Sequence, residues 1–417
     1  MQISKKMVIV IGGGPAGMMA AIAAASPGKS VTLIEKNASL GRKLLLTGGG
    51  RCNFTNICDT KELTGHFSKT GSFLRDAFKA FDNNELLRFF AKRGLGVKIE
   101  EDGCVFPSSD KASSVLDVLR KELERLDVRL MMGKGVKKVL LGQGAVRGVI
   151  CTDGSMIGAE KAVLAAGGLS YRTTGSTGDG IKMAERTGHE IVALRPGLVP
   201  LILEGPYPKT LEGLSLDGVK LTFKSGKTKV ASRQGSLLFT RDGISGPATL
   251  SSSAEVVDAM SAGKRVSVEI DIMPSKRLDE VDGLLLYELS KSPGKSLKNL
   301  LKALVPVRLA GVLLEKAKVS PDKKANQVTA GERKQIAGLI KVLKFDVSKS
   351  ASFEKAQITR GGVSIKDIDP RTMESKKVKG LYFAGEMIDI DGDSGGFNLQ
   401  AAFSTGCLAG RSAGAGN

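Results

Sequence analysis

The chain has 417 residues, 41% of them hydrophobic and 52 of them glycine, enough to bury a large core in two or three domains rich in turns. Five cysteines (Cys52, Cys58, Cys104, Cys151, Cys407) without a CxxC pair argue against a disulfide frame or zinc site and for a reducing cytoplasm, and two histidines, His66 and His189, exclude a histidine-rich metal site. Sixty-two Lys and Arg against 43 Asp and Glu leave a net charge of +19, which suits a polyanionic partner and equally a well-solvated surface.

Residues 7–36 read as strand, glycine turn, helix and strand. The apolar, β-branched run 7–11 suits a strand buried on both faces. Gly12, Gly14 and Gly17 follow at G-x-G-x-x-G spacing. These glycines serve the tight turn, the approach of backbone to a pyrophosphate, and the packing of helix on strand. Pro15, Ala16 and the alanines after them favour a helix close to a sheet, with free N–H groups and a positive dipole end facing a diphosphate. The second strand, 30–34, ends at Glu35, 21 residues after Gly14, where a carboxylate can bind both hydroxyls of an adenosine ribose; Lys36 lies beside it. Lys5 and Lys6 before an apolar run also imitate a secretion signal. Three glycines and Pro15 would break such a helix, and no stop-transfer segment follows, so no membrane association is expected.

Residues 41–56, GRKLLLTGGGRCNFTN, hold three consecutive glycines, Gly48, Gly49 and Gly50, that cannot form a packed helix or strand. Arg42, Lys43 and Arg51 supply cations and Asn53 and Asn56 amides. Either this is a surface turn or, coming directly after the acid of a dinucleotide fold, a loop against the cofactor. Residues 60–93 read as amphipathic helices with Phe73, Phe78, Phe81, Phe89 and Phe90 as core. Residues 97–106 read as extended, and 109–126 as a helix with Ser109 as N-cap and Val115, Leu116, Leu119, Leu123 and Leu126 on its apolar face. Short strands in a meander fill 128–157. Residues 162–168, AVLAAGG, read as a strand whose end, with Ala166 and Gly167, brings backbone to a ligand. Residues 174–180, TGSTGDG, open another helix, where Asp179 is either a cap or a cofactor contact.

After residue 192 the prolines Pro196, Pro200, Pro206 and Pro208 mark a boundary. Residues 209–241 read as strands with seven basic against two acidic residues, and 276–344, within a helical segment that begins at 275, carry 15 against 7. These windows hold +13 of the +19 and point to phosphate neutralisation, with affinity falling steeply in salt; interleaved aromatics are too few to advertise base stacking. Residues 358–365 return toward the cofactor fold. In the last stretch, 380–409, residues 381–384 read as a final parallel strand with Gly385, Glu386 and Asp389 at its carboxyl end. Gly395, Gly396, Phe397 and Asn398 then open an Ala-rich helix whose dipole can face an anionic ring edge. A dinucleotide fold closed by a C-terminal ligand strand and helix is a flavin arrangement more than a nicotinamide one.

Together GGGPAGMMAA, GRKLLLTGGGRCNFTN and GLYFAGEMIDIDGDSGGFNLQAAFSTG, with AVLAAGGLSY, TGSTGDG and LLFTRDGISGPA, resemble one family of FAD-dependent oxidoreductases, known as aminoacetone oxidases, bile-acid enone reductases or ribosomal-RNA dihydrouridine synthases. The resemblance spans nearly the whole chain. It implies an α/β fold with a Rossmann-like, glutathione-reductase-like FAD-binding domain, an inserted β-rich domain, and a helical insertion within that. The corresponding boundaries are 1–195 with 360–417, 196–274 with 345–359, and 275–344. It also implies that Gly12, Gly14, Gly17, Glu35, Arg42 and Lys43 hold the ADP half of FAD. Gly48, Gly49, Gly50, Arg51, Cys52 and Asn53 would line the flavin, and Gly385, Glu386, Asp389, Gly396, Phe397 and Asn398 the ribityl and ring site.

Three readings of activity follow. The first is reduction of an activated C=C bond with NAD(P)H as donor: hydride reaches the β carbon and a protein acid, Cys52 or Asp389, protonates the α carbon. Both residues also have structural readings, the cysteine as a small side chain beside a glycine loop and the aspartate bonded to ribityl hydroxyls. Ribosomal RNA would be the partner if uridine is the substrate, and a small molecule otherwise. The second is an amine oxidase using O2, a poor electrostatic match for a strongly positive protein. The third is a flavin-bearing RNA-binding protein without turnover. No second G-x-G-x-x-G marks a site for NAD(P)H.

Overall fold

Five parallel strands, in the order Leu381–Phe383, Lys161–Leu164, Met7–Ile11, Ser30–Glu35 and Arg129–Met132, form the sheet on which the larger of two compact units is built. The computed structural model describes residues 7–25, 29–67 and 70–415, so Lys5 and Lys6 lie outside it. Two compact units result: Met1–Gly197 with Phe353–Asn417, and Leu198–Ser352. Among the described residues no helix is long and apolar enough to cross a membrane, and all five cysteines are free thiols.

The central strand is buried on both faces, as its continuous apolar run requires: Val8, Ile9, Val10 and Ile11 are each at most 4% exposed. Pro15 starts the helix Pro15–Ala24, its fixed φ suited to that position. The helix lies so close to the strand turn that a Cβ on Gly17 would stand 1.9 Å from the Gly12 carbonyl oxygen. On its other side runs the C-terminal helix Phe397–Gly414. Gly406, Gly410 and Gly414 recur every fourth residue there, and Cβ atoms on them would lie 2.3, 2.2 and 2.7 Å from the carbonyl oxygens of Ala16, Ala20 and Ala24. Helix backbones touch along this seam because neither side carries anything larger than a methyl group.

Several expectations shift. The strand read over 162–168 ends at Leu164, and 165–168 is loop. Residues 129–132 join the parallel sheet, because the Thr32–Glu35 backbone offers them a partner edge; the meander covers only 136–158. Ser109 is not an N-cap. The helix is Ala112–Arg125, its N-cap is Lys111, and Ser109 closes the preceding turn by accepting the Lys111 N–H at 3.3 Å.

In the second unit a closed antiparallel barrel runs Leu201–Leu203, Gly243–Ser245, Thr228–Thr240, Ser215–Ser225, Val266–Asp271 and Leu343–Ser350. Helices Leu278–Lys291, Leu297–Leu301, Val307–Lys316 and Ala330–Lys341 are inserted between its last two strands. They do not form the separate 275–344 domain expected. Val281, Leu285, Ile336 and Ile340 share one hydrophobic core with Val268, Leu343 and Phe345 of the barrel. The outer boundaries move as well. Ile191–Gly197 pairs antiparallel with Ile358–Val363, and this ribbon keeps residues 196–197 and 353–359 in the first unit. The charge is also less concentrated than the chosen windows suggested. The whole second unit has 25 basic and 16 acidic residues, a net of +9, because the acidic stretch 242–271 lay between the windows.

The helix seam predicts an inverted glycine effect. Gly→Ala in a helix interior normally stabilises by about 1 kcal/mol. Gly410→Ala should instead destabilise by about 1–3 kcal/mol through overpacking and lower the Tm. Gly338→Ala, in a helix with nothing within 4 Å of the added Cβ, should hold or raise it.

Candidate functional site

A cavity of about 670 Å³ opens within the first unit at the carboxyl ends of all five parallel strands. Its walls are the segments that leave those strands: 12–16, 35–37, 133–137, 165–167 and 384–386, with Asn398 and Leu399 from the start of the C-terminal helix. Ligands of open α/β sheets bind there because strand-end loops converge while the sheet below stays rigid.

One end carries groups suited to an adenosine diphosphate. Glu35 is 8% exposed. Its Oε2 accepts the Gly13 N–H at 2.6 Å, and its Oε1 accepts the Asn37 backbone N–H at 2.8 Å and side-chain N–H at 2.7 Å. A carboxylate has about four acceptor sites, so these three bonds fix its direction and leave about one for a ribose hydroxyl. Arg42 donates to Asn37 Oδ1 at 2.9 Å, and Lys36 pairs with Asp179 at 2.7 Å. Asp179 lines the cavity, and no side chain caps its helix. The N-terminus of helix Pro15–Ala24 likewise has no side-chain cap and no acid in its first turn, and a Cβ on Gly14 would meet nothing within 4 Å. Uncapped N–H groups beside open space fit a diphosphate.

The other end is organised by Glu386. Its carboxylate accepts Lys43 Nζ at 2.7 Å, the Thr359 N–H at 2.8 Å, Ser170 Oγ at 2.9 Å and the Gly168 N–H at 3.4 Å. Lys43 also donates to Ser170 Oγ at 2.6 Å, while Thr359 Oγ1 accepts the Leu169 and Ser170 N–H groups. Lys43, assigned to the ADP half by resemblance, is thus bonded to the residue assigned to the ribityl half. Asn398 donates to the Gly392 and Asp393 carbonyls at 2.8 and 3.1 Å and accepts the Gly392 N–H at 2.9 Å, fixing the loop before its helix.

Of the residues singled out in the sequence, Gly12, Gly14, Pro15, Ala16, Glu35, Lys36, Arg42, Lys43, Ala166, Gly167, Gly385, Glu386 and Asn398 line this cavity. Gly17, Gly49, Gly50, Arg51, Cys52, Asn53, Asp389, Gly396 and Phe397 do not. Gly17 faces the strand turn, as described. Past Lys43 only Leu44 and Thr47 of the glycine-rich stretch reach the cavity; Gly48 and Gly49 take left-handed backbone, φ +56° and +67°, to turn the chain away. Arg51 is spent on Glu100 at 2.7 Å and on the face of Phe106. Asn53 accepts the Val105 N–H at 3.2 Å. A Cβ on Gly396 would meet the Thr55 carbonyl oxygen at 2.5 Å, and Phe397 stacks on His66 with ring centroids 3.8 Å apart.

Neither candidate acid is placed for proton transfer into the cavity. Cys52 has no solvent exposure, and burial pushes its thiol up to about 12 against a weaker opposing bond from Thr47. Asp389 is also held above the usual carboxylate range, first by burial and then by Asp391, with Arg360 and the Gly361 N–H opposing. Its own N–H donates to the Val363 carbonyl at 2.9 Å, so it serves the strand ribbon. Sequence reasoning missed Gly13, Asn37, Ser170, Thr359 and the 133–137 turn. Gly13 had a signal, the middle glycine of GGG, where a Cβ would stand 2.4 Å from Leu40. Ser170 lay inside the quoted AVLAAGGLSY. Thr359 and 133–137 had none, since their roles arise from tertiary approach.

The HI0933-like protein Rossmann domain family matches residues 6–412. A 3-dehydro-bile acid delta(4,6)-reductase of Clostridium scindens is 33% identical over 97% of this chain and 98% of its own length. Ribosomal RNA dihydrouridine synthases of Haemophilus influenzae and Escherichia coli are each 32% identical over 95% of this chain and 96% and 95% of theirs. Among solved structures, a 3-ketosteroid delta1-dehydrogenase from Sterolibacterium denitrificans aligns with a TM-score of 0.55 at 12% identity, covering 98% of this chain and 100% of that one. The E. coli quinol fumarate reductase subunit FrdA gives 0.53 at 18%, covering 99% and 70%. Both structural likenesses speak to the fold, a Rossmann-like FAD-binding architecture.

Two outcomes follow from the geometry. Glu35→Ala should raise the FAD dissociation constant about 10- to 100-fold by removing charge-assisted hydrogen bonds, read from flavin absorbance retained after gel filtration. Cys52 should resist iodoacetamide at pH 8 in the folded protein and react only after unfolding, as followed by mass spectrometry.

Proposed function

The chain belongs to the HI0933-like family and is an FAD-dependent oxidoreductase, and from that premise we propose that it reduces a C=C bond conjugated to a carbonyl, with NAD(P)H as donor and a uridine of ribosomal RNA as substrate. The observation that carries this reading is the pair of named reactions among its relatives. A delta(4,6)-reductase of a 3-oxo acid and a dihydrouridine synthase act on different molecules, yet each saturates a carbon–carbon double bond polarised by a carbonyl. The two are 33% and 32% identical to this chain over nearly its full length, so identity alone does not choose between their substrates. The net charge of +19 favours the polyanion.

Bound FAD supplies the two-electron relay between nicotinamide and substrate. The protein's own residues would hold and orient it. Glu35 takes the adenosine ribose, and the amino end of helix Pro15–Ala24 takes the diphosphate. At the end away from the adenosine, Lys43 and Glu386 would face the rest of the cofactor, held in place by Ser170 and Thr359 behind them. The uncapped start of helix Phe397–Gly414 offers positive dipole to the ring edge. Saturating the bond also consumes one proton at the α carbon; Cys52 is fully buried, and neither Cys52 nor Asp389 lines the cavity. Five free thiols support a reducing cytoplasm as the place of action.

Anaerobic NAD(P)H should bleach the flavin, and a conjugated C=C acceptor should restore its colour. Mass spectrometry of ribosomal RNA from a deletion strain should show lower dihydrouridine than wild type. An unchanged content removes the RNA substrate, and peroxide formed with an amine in place of bleaching by NAD(P)H removes the reductase reading.

A further inference from the structure

In the second unit the helix Leu278–Lys291 leaves an aromatic ring in solvent. Tyr287 is 59% exposed, the most exposed of the large hydrophobic side chains among the described residues. Lys291, one helical turn later, holds its ammonium 5.8 Å from the ring centroid. The chain then turns through Lys295 into helix Leu297–Leu301, with Lys298 on it and Lys302 capping it. A second turn runs alongside. The Leu297 and Lys298 N–H groups donate to the carbonyls of Lys323 and Pro321, the Ala325 N–H donates to the Lys295 carbonyl, and Ser296 bridges Lys324. The backbone therefore gathers Lys291, Lys295, Lys298, Lys302 and Lys324 into one exposed ridge beside Tyr287. None of these five ammonium groups is in an ion pair among the described residues. No acid occurs between 289 and 307, and Asp322 is the one acid between 316 and 331.

We infer that this ridge docks a single-stranded or looped stretch of RNA, with Tyr287 stacking on an unpaired base and the five lysines meeting phosphates. The inference deepens the reading of a ribosomal RNA substrate and rests on it for the choice of RNA. Uncompensated cations give phosphate affinity of any sequence, and an accessible ring beside them adds a π-face that only an unstacked base can use. An anionic membrane fits less well. The exposed Leu278 at the other end of the helix sits among Asp279, Glu280 and Asp282, and Arg277 is already committed to the first two. Asp282 likewise takes up Arg333, so that end offers anionic headgroups paired charges where an inserting helix would need to be apolar and freely basic.

The test uses the FAD-loaded full-length protein and fluorescence anisotropy with a fluorescein-labelled RNA hairpin, a fully paired RNA duplex, and phosphatidylglycerol vesicles. K295E/K298E/K302E should weaken hairpin binding at least tenfold and reduce the slope of log K against log salt by about 2, three single-strand phosphate contacts at roughly 0.7 each. Tyr287→Ala should weaken the hairpin about fivefold or more, spare the duplex, and leave the salt slope unchanged; Tyr287→Phe should bind as wild type. Flavin absorbance and Tm of each variant report that the fold is intact. Hairpin binding that survives the triple substitution overturns the proposal. So does a Tyr287→Ala effect of equal size on duplex and hairpin, or a loss of vesicle binding that matches the loss of RNA binding. Reduction of a small conjugated C=C acceptor, measured in parallel, keeps the two readings apart. Its loss in the wild type sinks the reductase assignment and leaves the docking result standing, whereas unaltered reduction without RNA binding sinks the docking surface alone.

Discussion

The contact between helix Pro15–Ala24 and helix Phe397–Gly414 is the constraint on which the site depends. The first helix aims its amino end at the cavity, and the second brings the last strand and its loop to the same place from the far end of the chain. Their backbones approach until the Ala16, Ala20 and Ala24 carbonyls stand where side chains of Gly406, Gly410 and Gly414 would be. A larger residue at any of these glycines would part the helices and shift the segments that frame the cavity. The Gly385 N–H adds a bond to Thr405 Oγ1 at 3.0 Å, tying the end of the last strand to the same helix.

Glu386 does for the cavity what the seam does for the fold. Its carboxylate joins Lys43 from the glycine-rich segment, Gly168 and Ser170 from the middle of the chain, and Thr359 from the return strand. Three separate pieces of chain share one charge, and only a compact fold lets them do so. Lys43 and Glu386 side chains are each 20% exposed, so the pair is partly desolvated. Removing one partner of such a pair leaves the other charge poorly solvated, which is more damaging than the net value of the pair itself suggests.

The residues that looked chemical in the sequence and those that face the cavity are not the same set. Cys52 and Arg51 stand in a motif dense with polar groups, yet the left-handed turn at Gly48 and Gly49 sends one into the core and the other to Glu100. Asp389 supports the strand ribbon through its backbone. The basic segments likewise read differently once folded. The acidic stretch 242–271 belongs to the same unit and dilutes its charge, while a ring that composition could not distinguish from core, Tyr287, lies in solvent beside unpaired lysines.

By itself the sequence determined the parts of this protein that rest on local rules: the buried first strand, the glycine turn and helix, the acid closing the second strand, the last strand with its glycine loop and helix, and through these the FAD-type oxidoreductase fold. Such features are legible because spacing and side-chain size act between residues close in the chain. Tertiary structure decided the rest. Whether Cys52 or the 133–137 turn meets the cavity, whether 275–344 packs as a domain or into the barrel, and whether Tyr287 is core or surface all depend on which distant segment arrives beside each of them. No period or motif encodes that arrival; it is fixed by the collective packing of the two cores.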